Sequence, residues 1–333
     1  MDRRHFLPLL GGLAGTLAGC RRRRQPQELL VSVFPGMMVS PVYLADELGY
    51  FREAGMQVDI RQIRESAQAI PLLADGQLDA TFLSISPAFI NAVYRGARLR
   101  VVAAREVMTL NCGAPGRVYG SRKAFPKGLE DLHQLKGKRV AVYGTTTHVA
   151  FILDVLLESA GMSTGDVTVV NLRRSEAFAA LVGGTLDAMV FSDYEAEPES
   201  ISGALVRGPS AEKLLQGLQT TFVIFGRKLL DGDQAVGIGF LWAYLRGVEA
   251  FRAGKIPRVF DELAQGGGLD PAKARSVCRD RLSTDGVVDR SSVQRLVDWS
   301  VKKGFVGQPV DASRLIETRF VEGALGRLGR SPK

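Results

Sequence analysis

The sequence has few of the residue types from which metal sites and covalent catalysts are built. Its 333 residues include only three cysteines and three histidines. No Cys/His spacing fits a zinc site, no phosphate-binding P-loop is present, and no Gly-x-Ser-x-Gly elbow supplies a nucleophile. These absences predict a protein with no metal, no cofactor and no catalytic residues of these classes.

A basic surface of the kind that binds nucleic acid is also missing. The formal net charge of the chain is +8, but it is concentrated at the ends. Residues 1–19 carry a net +1, residues 21–24 are four arginines, and Arg327, Arg330 and Lys333 add three more positive charges. The remaining body is close to neutral, so we expect no nucleic-acid partner.

The apolar run at the N-terminus is too short for a membrane span but has the features of an export signal. Arg3 and Arg4 precede residues 6–18, which are rich in Leu, Gly and Ala, as in a signal peptide. A spanning helix would need ~20 apolar residues. The run ends in Leu17-Ala18-Gly19-Cys20, which resembles the lipobox of bacterial lipoproteins. We therefore expect residues 1–19 to be cleaved and Cys20 to carry lipid.

The export route and the tether have signals of their own. Arg3-Arg4-His5-Phe6-Leu7 resembles a twin-arginine signal, although Asp2 and Pro8 differ from its usual flanks. Residues 20–28 are expected to form a lipidated tether, whose arginines either contact anionic headgroups or stay solvated. The sequence thus predicts a protein held by a lipid anchor at the periplasmic or other extracytoplasmic face of the cell membrane.

The body of the chain contains an internal repeat. Residues 69–80 and 177–188 share Ala, Leu, Gly, Leu, Asp and Ala at matching positions. Each copy has the pattern of a helix ending at a glycine, a tight turn and a buried strand. Upstream of each copy, further strands are predicted at 30–34 and 58–60 and, in the second half, at 138–143 and 167–172.

Both halves therefore follow the order strand–helix–strand–helix–strand, which implies parallel strands with right-handed crossovers. We predict two α/β lobes, each a small mostly parallel sheet flanked by helices. One continuous doubly wound domain would explain the alternation but not the repeat. The first lobe is expected to comprise residues 29–112 and 220–333, and the second residues 113–219.

The links between the lobes and the C-terminal segment complete this plan. A hinge is expected near residues 108–116 and 209–222. After a strand at 220–225, start signals such as Asp270-Pro271 predict a helical segment that packs on the first lobe. Its predicted helices are 239–253, 256–265, 271–281, 291–303 and 311–325.

Four strand ends, two from each predicted lobe, carry short hydroxyl, glycine and aromatic residues. Ligands of open α/β sheets lie beyond the carboxyl ends of the strands, where helix N-termini present free N–H groups suited to oxyanions. Any single Ser or Thr there is better explained as a helix cap, but the symmetric placement of all four strand ends favours a ligand site. The candidate ligand-binding residues are Phe34, Ser40, Tyr43, Ser84, Ser86, Gly144, Thr145, Thr146, Thr147, His148, Ser192, Asp193, Tyr194 and Glu195.

The charge of the ligand stays open at this point. Asp193, Glu195 and Glu197 favour a ligand with an amine or a protonated ring, stacked on an aromatic side chain, over a bare nitrate-like anion. If these carboxylates point away, an oxyanion fits.

The remaining residues that could carry chemistry are interpreted as structural. Arg105 could supply a cation to an anionic ligand, but Arg105, Arg173 and Arg174 are interpreted as surface charges. Cys112 and Cys278 are interpreted as separate buried thiols, although an oxidising compartment would let them pair.

Several motifs resemble one family by their order and spacing. They are Ser40-Pro41-Val42-Tyr43-Leu44-Ala45, Gly49-Tyr50-Phe51, residues 73–79, Gly137-Lys138-Arg139-Val140-Ala141-Val142 and Glu197-Pro198. Over residues 30–246 the chain resembles the nitrate, sulfonate, taurine and thiamine-precursor substrate-binding proteins of ABC importers. The resemblance implies a type II periplasmic-binding-protein fold, a ligand clamped between two lobes, and a membrane permease as partner.

The sequence therefore predicts an extracytoplasmic solute-binding lipoprotein, monomeric and not an enzyme, that delivers a small polar organic molecule to an ABC importer. Two alternatives stay open. An enzyme on the same fold, similar to thiamine-pyrimidine synthases or chorismate-derived dehydratases, would have His148 as its first candidate residue, although the synthases' Cys-rich motif is missing. A sensor accessory would bind the solute and pass it to a receptor instead.

Overall fold

Two five-stranded mixed sheets form the framework of the chain in the computed structural model, which describes residues 25–63, 66–112, 116–191, 203–267 and 269–331. The first sheet has the strand order β2-β1-β3-β10-β4 and the second β7-β6-β8-β5-β9. The strands are β1 (Gln27–Val33), β2 (Met56–Gln62), β3 (Ala80–Leu83), β4 (Arg100–Val107), β5 (Arg117–Ser121), β6 (Arg139–Val142), β7 (Thr168–Asn171), β8 (Ala188–Phe191), β9 (Leu205–Ser210) and β10 (Gln219–Phe225).

The two sheets have the same topology. In the first, β1 pairs in parallel with β2 and β3, and β10 runs antiparallel to β3 and β4. In the second, β6 pairs in parallel with β7 and β8, and β5 runs antiparallel to β8 and β9. Each sheet thus has one antiparallel strand, which follows a crossing of the chain from the other sheet. The predicted two-lobed, mostly parallel fold is confirmed.

Helices cover the faces of both sheets. Several start at a capping side chain: Ser86, Thr147, Asp233 and Asp289 each accept a hydrogen bond from an N–H of the first turn. None of the described helices is long and apolar enough to cross a membrane. They are α1 (Ser40–Glu47), α2 (Tyr50–Glu53), α3 (Ser66–Ala74), α4 (Pro87–Tyr94), α5 (His148–Ser159), α6 (Arg174–Gly183), α7 (Arg227–Asp231), α8 (Gln234–Arg252), α9 (Phe260–Gly266), α10 (Pro271–Ala274), α11 (Arg290–Lys302) and α12 (Arg319–Arg327).

The buried apolar residues form three clusters. One lies between the first sheet and α8, where the Phe240 ring contacts those of Phe51, Phe82 and Phe225. A second is continuous across both sheets and contains residues of α4, α5, α11 and β10. The third is small and covers the outer face of the second sheet, around Leu181. The two lobes are therefore joined by a shared apolar core.

The two crossovers between the sheets run side by side. The Met108 amide donates to Leu218 O (2.8 Å), and the Ala211 amide donates to Gly116 O (2.9 Å). Residues 113–115 of the first crossover lie outside the described chain. The predicted hinge and lobe boundaries stay predictions.

A disulfide joins Cys112 of the first crossover to Cys278, with 5.2 Å between their Cα atoms. The interpretation of these cysteines as separate thiols is therefore wrong. The C-terminal segment folds back along β4, where the Val107 amide donates to Arg281 O (2.8 Å) and Glu106 bridges to Leu282. This pairing brings Cys278 beside Cys112 despite a sequence separation of 166.

The C-terminal helices differ from the prediction at two places. The helix expected at 271–281 ends at Ala274, because the following residues are held by the disulfide and by the pairing with β4. The stretch expected as one helix at 311–325 is interrupted before α12, because Val101 of β4 donates to Leu315 O (2.8 Å) and accepts from the Glu317 amide (2.9 Å). In both places a contact with a distant strand outweighs local helix preference.

Candidate functional site

The carboxyl ends of β1 and β3 in the first sheet and of β6 in the second lie at one interface between the lobes. Two contacts across this interface show that they meet. The Ser84 hydroxyl, after β3, lies 2.7 Å from Nδ1 of His148, the first residue of α5. The Phe34 ring, after β1, lies 5.9 Å from the Tyr143 ring, after β6. We call this interface the cleft.

His148 is held neutral at pH 7 by its surroundings. Burial lowers the pKa of its imidazole, and the charges of Arg281 and Arg105 lower it further. The carboxylate of Glu106 opposes this effect but leaves the pKa at about 4. A neutral ring can either accept a hydrogen bond from the Ser84 hydroxyl or donate one to it, depending on its tautomer. His148 is thus a polar contact between the lobes.

The charges near His148 form a buried cluster that sequence analysis missed. Arg105 is only 8% exposed; it pairs with Glu106 and donates to the Thr221 hydroxyl (3.0 Å), while Arg281 also pairs with Glu106. The interpretation of Arg105 as a surface charge is therefore wrong. Burial raises the pKa of Glu106, but the two arginines and Thr221 outweigh that effect and bring it to about 2.

The side chains after β1 differ in how their polar groups are satisfied. Ser40 is fully buried, and its hydroxyl has no hydrogen-bond partner among the described residues. The Tyr43 hydroxyl accepts a hydrogen bond from Gln62 (3.3 Å), and burial raises its pKa. A buried hydroxyl without a partner is costly, which makes Ser40 the polar group most in need of one.

Two of the candidate hydroxyls serve as helix caps. Ser86 accepts from the Phe89 amide at the start of α4 (3.3 Å), and Thr147 accepts from the Val149 amide at the start of α5 (3.2 Å). Gly144 has φ +79°, and a Cβ added at this position would lie 2.4 Å from the Thr147 methyl group. This turn therefore requires glycine.

The remaining candidate ligand-binding residues are either exposed or outside the described residues. Thr145 and Thr146 are exposed beside the turn at Gly144. Ser192, Asp193, Tyr194 and Glu195 lie outside the described residues, as does Glu197.

Arg174 at the start of α6 is a further residue of the cleft that sequence analysis missed. Its Nη1 donates to Gly267 O in the first lobe (3.1 Å), and its guanidinium lies 4.3 Å from the centre of the Phe191 ring. It is half-buried and spans the two lobes, so its interpretation as a surface charge is wrong. Arg173 is exposed, as expected.

Two open depressions lie away from the cleft. One, of about 530 Å³, lies beside β9 and is lined by Arg122, Lys127 and Arg207 among others. The other, of about 330 Å³, lies beside Ser283 and Asp285. No candidate cleft residue lines either depression. The walls of the cleft are in contact through Ser84 and His148.

Solved structures with this fold include two sulfonate-binding proteins. The periplasmic aliphatic sulphonate binding protein of Escherichia coli superposes with a TM-score of 0.68 and 19% identity, covering 88% of this chain and 92% of that one. The alkanesulfonate-binding protein of Xanthomonas axonopodis pv. citri, bound to MOPS, gives a TM-score of 0.66 and 21% identity over 88% and 99% of the two chains. At these identities the likeness shows the fold.

Sequence comparison gives a family and a weaker relative. A 4-amino-5-hydroxymethyl-2-methylpyrimidine phosphate synthase of Aspergillus parasiticus is 27% identical over 149 residues, which are 45% of this chain and 40% of the synthase. The chain thus spans less than half the length of this relative. The profile of the NMT1/THI5-like family matches residues 37–253, more than half of the chain. The chain therefore belongs to the NMT1/THI5-like family.

Proposed function

We propose that this protein is an extracytoplasmic solute-binding protein that captures a small polar organic molecule between its lobes and delivers it to an ABC importer. The observation that carries the proposal is the meeting of strand ends from two duplicated sheets, marked by the Ser84–His148 hydrogen bond. Such a meeting point, beyond the carboxyl ends of the strands, is where open α/β sheets bind ligands. The sulfonate-binding proteins with the same fold support this reading.

In this proposal residues 29–112 and 220–333 form one lobe and residues 113–219 the other. The lobes move apart about the crossovers near residues 108–116 and 209–222, which separates the Ser84 hydroxyl from His148 and opens the cleft to a ligand. The ligand then closes the lobes, as expected when one molecule contacts both of them. The site residues are those of the strand ends, including Ser40, whose buried hydroxyl lacks a partner among the described residues.

We propose a sulfonate or a similar oxyanion as the ligand's binding group. The positive end of α5 faces the cleft at Thr147 and His148, and Arg174 brings a guanidinium to its edge. The Xanthomonas protein bound to MOPS, a sulfonate buffer, has the same fold. A pyrimidine or another amine-bearing molecule is the competing ligand class, since Asp193, Glu195 and Glu197 follow β8.

Native mass spectrometry followed by a thermal-shift panel tests this proposal. The panel contains alkanesulfonates, nitrate, amino acids and pyrimidines. A ligand present at 100 times its dissociation constant adds about 2.7 kcal/mol to the free energy of unfolding, enough for a clear shift of the melting temperature. Stabilisation by sulfonates, with the ligand recovered unchanged, is the expected result. A response to pyrimidines alone would contradict the sulfonate assignment.

The second candidate function is an enzyme that acts on a pyrimidine, which the Aspergillus synthase relative favours. In that case His148 would move a proton to or from the bound molecule. Mass spectrometry of the small molecule after incubation with the protein separates the two functions. A chemically altered molecule would favour the enzyme.

We also propose that the protein is a monomer anchored by lipid on Cys20 after export, with the twin-arginine pathway as the route. Cys20→Ala should release the protein from membranes while its response to the ligand panel stays the same. If the Cys20→Ala protein still fractionates with membranes, the anchor lies elsewhere.

A further inference from the structure

Helix α11, near the C-terminus, is fixed to the first lobe by packing and by hydrogen bonds. Val293 and Leu296 are buried in the same cluster as Phe222 of β10. The Ser292 hydroxyl accepts from the Gln219 amide (3.0 Å), and Asn91 of α4 donates to Phe305 O just after α11 (3.1 Å). One side of α11 therefore moves with the first lobe.

The other side of α11 is fixed to α5 of the second lobe. The rings of Trp299 and Phe151 pack edge to face at 5.9 Å. Trp299 Nε1 donates to Asp154 Oδ2 (2.6 Å), and Lys303 Nζ donates to Asp154 Oδ1 (3.0 Å) and to the Thr164 hydroxyl (2.8 Å). The C-terminal segment thus packs on both lobes, which goes beyond the expected packing on the first.

Asp154 is the centre of this contact. It is only 4% exposed, and each of its oxygens accepts a hydrogen bond from the C-terminal segment. A buried charge of this kind adds little to stability compared with an apolar residue, but the loss of one of its partners leaves the charge uncompensated. The arrangement of α5 and α11 that keeps both hydrogen bonds is therefore strongly favoured. The exposed pair Lys302–Glu158, at 2.7 Å between the same two helices, has no such constraint because water competes for both groups.

Helix α5 connects Asp154 to the cleft. Asp154 lies six residues after His148, a distance of about 9 Å along the helix axis. A helix of this length moves as a rigid rod, so a shift at Asp154 displaces Thr147 and His148 relative to Ser84. We propose that Asp154 is a positioning residue: by fixing α5 to α11, it sets where Thr147 and His148 lie in the cleft. The proposal rests on the proposed function for its claim that these residues face the ligand.

His148 itself reports on the position of α5. Its neutral state depends on burial beside Ser84 and on the charges of Arg105, Glu106 and Arg281. If α5 loosens, the imidazole becomes solvated and its pKa rises towards ~6.5, the value of an exposed histidine. No ligand is needed for this measurement, so its failure and a failure of the proposed function are distinguishable.

The test is an NMR titration of the histidine side chains in two variants of the full chain. Asp154→Asn removes one of the two oxygen acceptors, and Trp299→Phe removes the indole donor while keeping a ring on Phe151. In both we expect the pKa of His148 to rise from about 4 by ~1 unit or more towards the solvated value. The imidazole ¹⁵N chemical shifts of His148 at pH 7 should show that its Nδ1 hydrogen bond to Ser84 is weakened. The signals of His133, which is exposed, serve as an internal reference.

Glu158→Gln is the matched control, because it breaks a contact between the same segments at an exposed position. It should leave the His148 signals unchanged. If Asp154→Asn and Trp299→Phe lower the melting temperature but also leave these signals unchanged, Asp154 is merely structural and the proposal is wrong. If Glu158→Gln shifts the His148 signals as much as Asp154→Asn does, the buried carboxylate of Asp154 does not position α5 and the proposal is wrong.

Discussion

The two sheets share one strand order but are supported differently. In the first sheet β1, β2 and β10 have seven residues each and β4 has eight, whereas β6, β7 and β8 of the second have four each. The first lobe has the large cluster around Phe240. The second has only the small cluster around Leu181 on its outer face, while its inner face shares a core with α11 and the first lobe.

A repeated topology therefore does not imply that the two sheets are equally stable. Alternating helices and strands reproduce the same sheet in both halves, but the apolar area that stabilises each sheet comes from different places. The second lobe depends on α5 packing against a helix from the C-terminal segment. Its orientation is therefore set by contacts with the rest of the chain as well as by the two crossovers.

The largest effect is expected from truncating a core residue of the first lobe. Phe240 is fully buried and contacts three other rings, so Phe240→Ala should lower the free energy of unfolding by about 3–5 kcal/mol. Leu181→Ala, in the small cluster of the second lobe, should cost about 2 kcal/mol because fewer neighbours lose contacts. Urea unfolding measures both. Equal costs would show that the outer core of the second lobe is not the weaker one.

Removing the disulfide is expected to have the next largest effect. Replacing both Cys112 and Cys278 by serine should cost about 2–4 kcal/mol, because the unfolded chain regains the freedom that the cross-link removes. Dithiothreitol should lower the melting temperature of the native protein and leave that of the double variant unchanged. A reductant effect of equal size on both proteins would mean that the two cysteines are not paired.

The sequence predicts what is local, and it misses what depends on distant partners. The repeat at 69–80 and 177–188 predicts both sheets because helix and strand signals lie within short segments. Arg105 and Cys112 are misinterpreted because each has a decisive partner more than 100 residues away: Thr221 contacts the Arg105 guanidinium, and Cys278 forms the disulfide with Cys112. The strand Arg-Val-Val-Ala-Ala-Arg-Glu-Val over residues 100–107 did contain a signal, since two adjacent charges within a buried strand need partners.

The candidate site shows the same division. Ser84 and His148 follow strands whose ends meet, and the alternation of strands and helices was enough to place them at one edge. The caps formed by Ser86 and Thr147 are what a Ser or Thr at a helix start indicates. The Ser40 hydroxyl has no partner among the described residues, which depends on side-chain geometry that no spacing encodes.

Acid should weaken the contact between the lobes through His148. Below pH ~6.5 the unfolded chain binds a proton at this histidine, but the folded protein does so only near pH 4. The contribution of neutral His148 to the free energy of unfolding is therefore fully present above pH 6.5 and is lost as the pH falls from 6.5 to 4. This contribution is about 2 kcal/mol after allowance for the partial exposure of the side chain. Urea midpoints of the native protein and of His148→Asn should converge in this range. Parallel pH profiles would contradict this origin.

The smallest effects, and the closest comparison of the lobes, come from the two caps at the cleft. Ser86→Ala and Thr147→Ala each remove one cap bond and should cost about 1 kcal/mol. Thr147→Ala should cost more, because its hydroxyl also donates to Tyr143 O (2.8 Å) or Gly144 O (2.9 Å). The thermal-shift response to the ligand then separates the roles of these residues. Suppose that Ser86→Ala lowers stability without changing that response, while Thr147→Ala changes both. Then Thr147 of the second lobe contacts the ligand, and Ser86 of the first lobe only caps its helix.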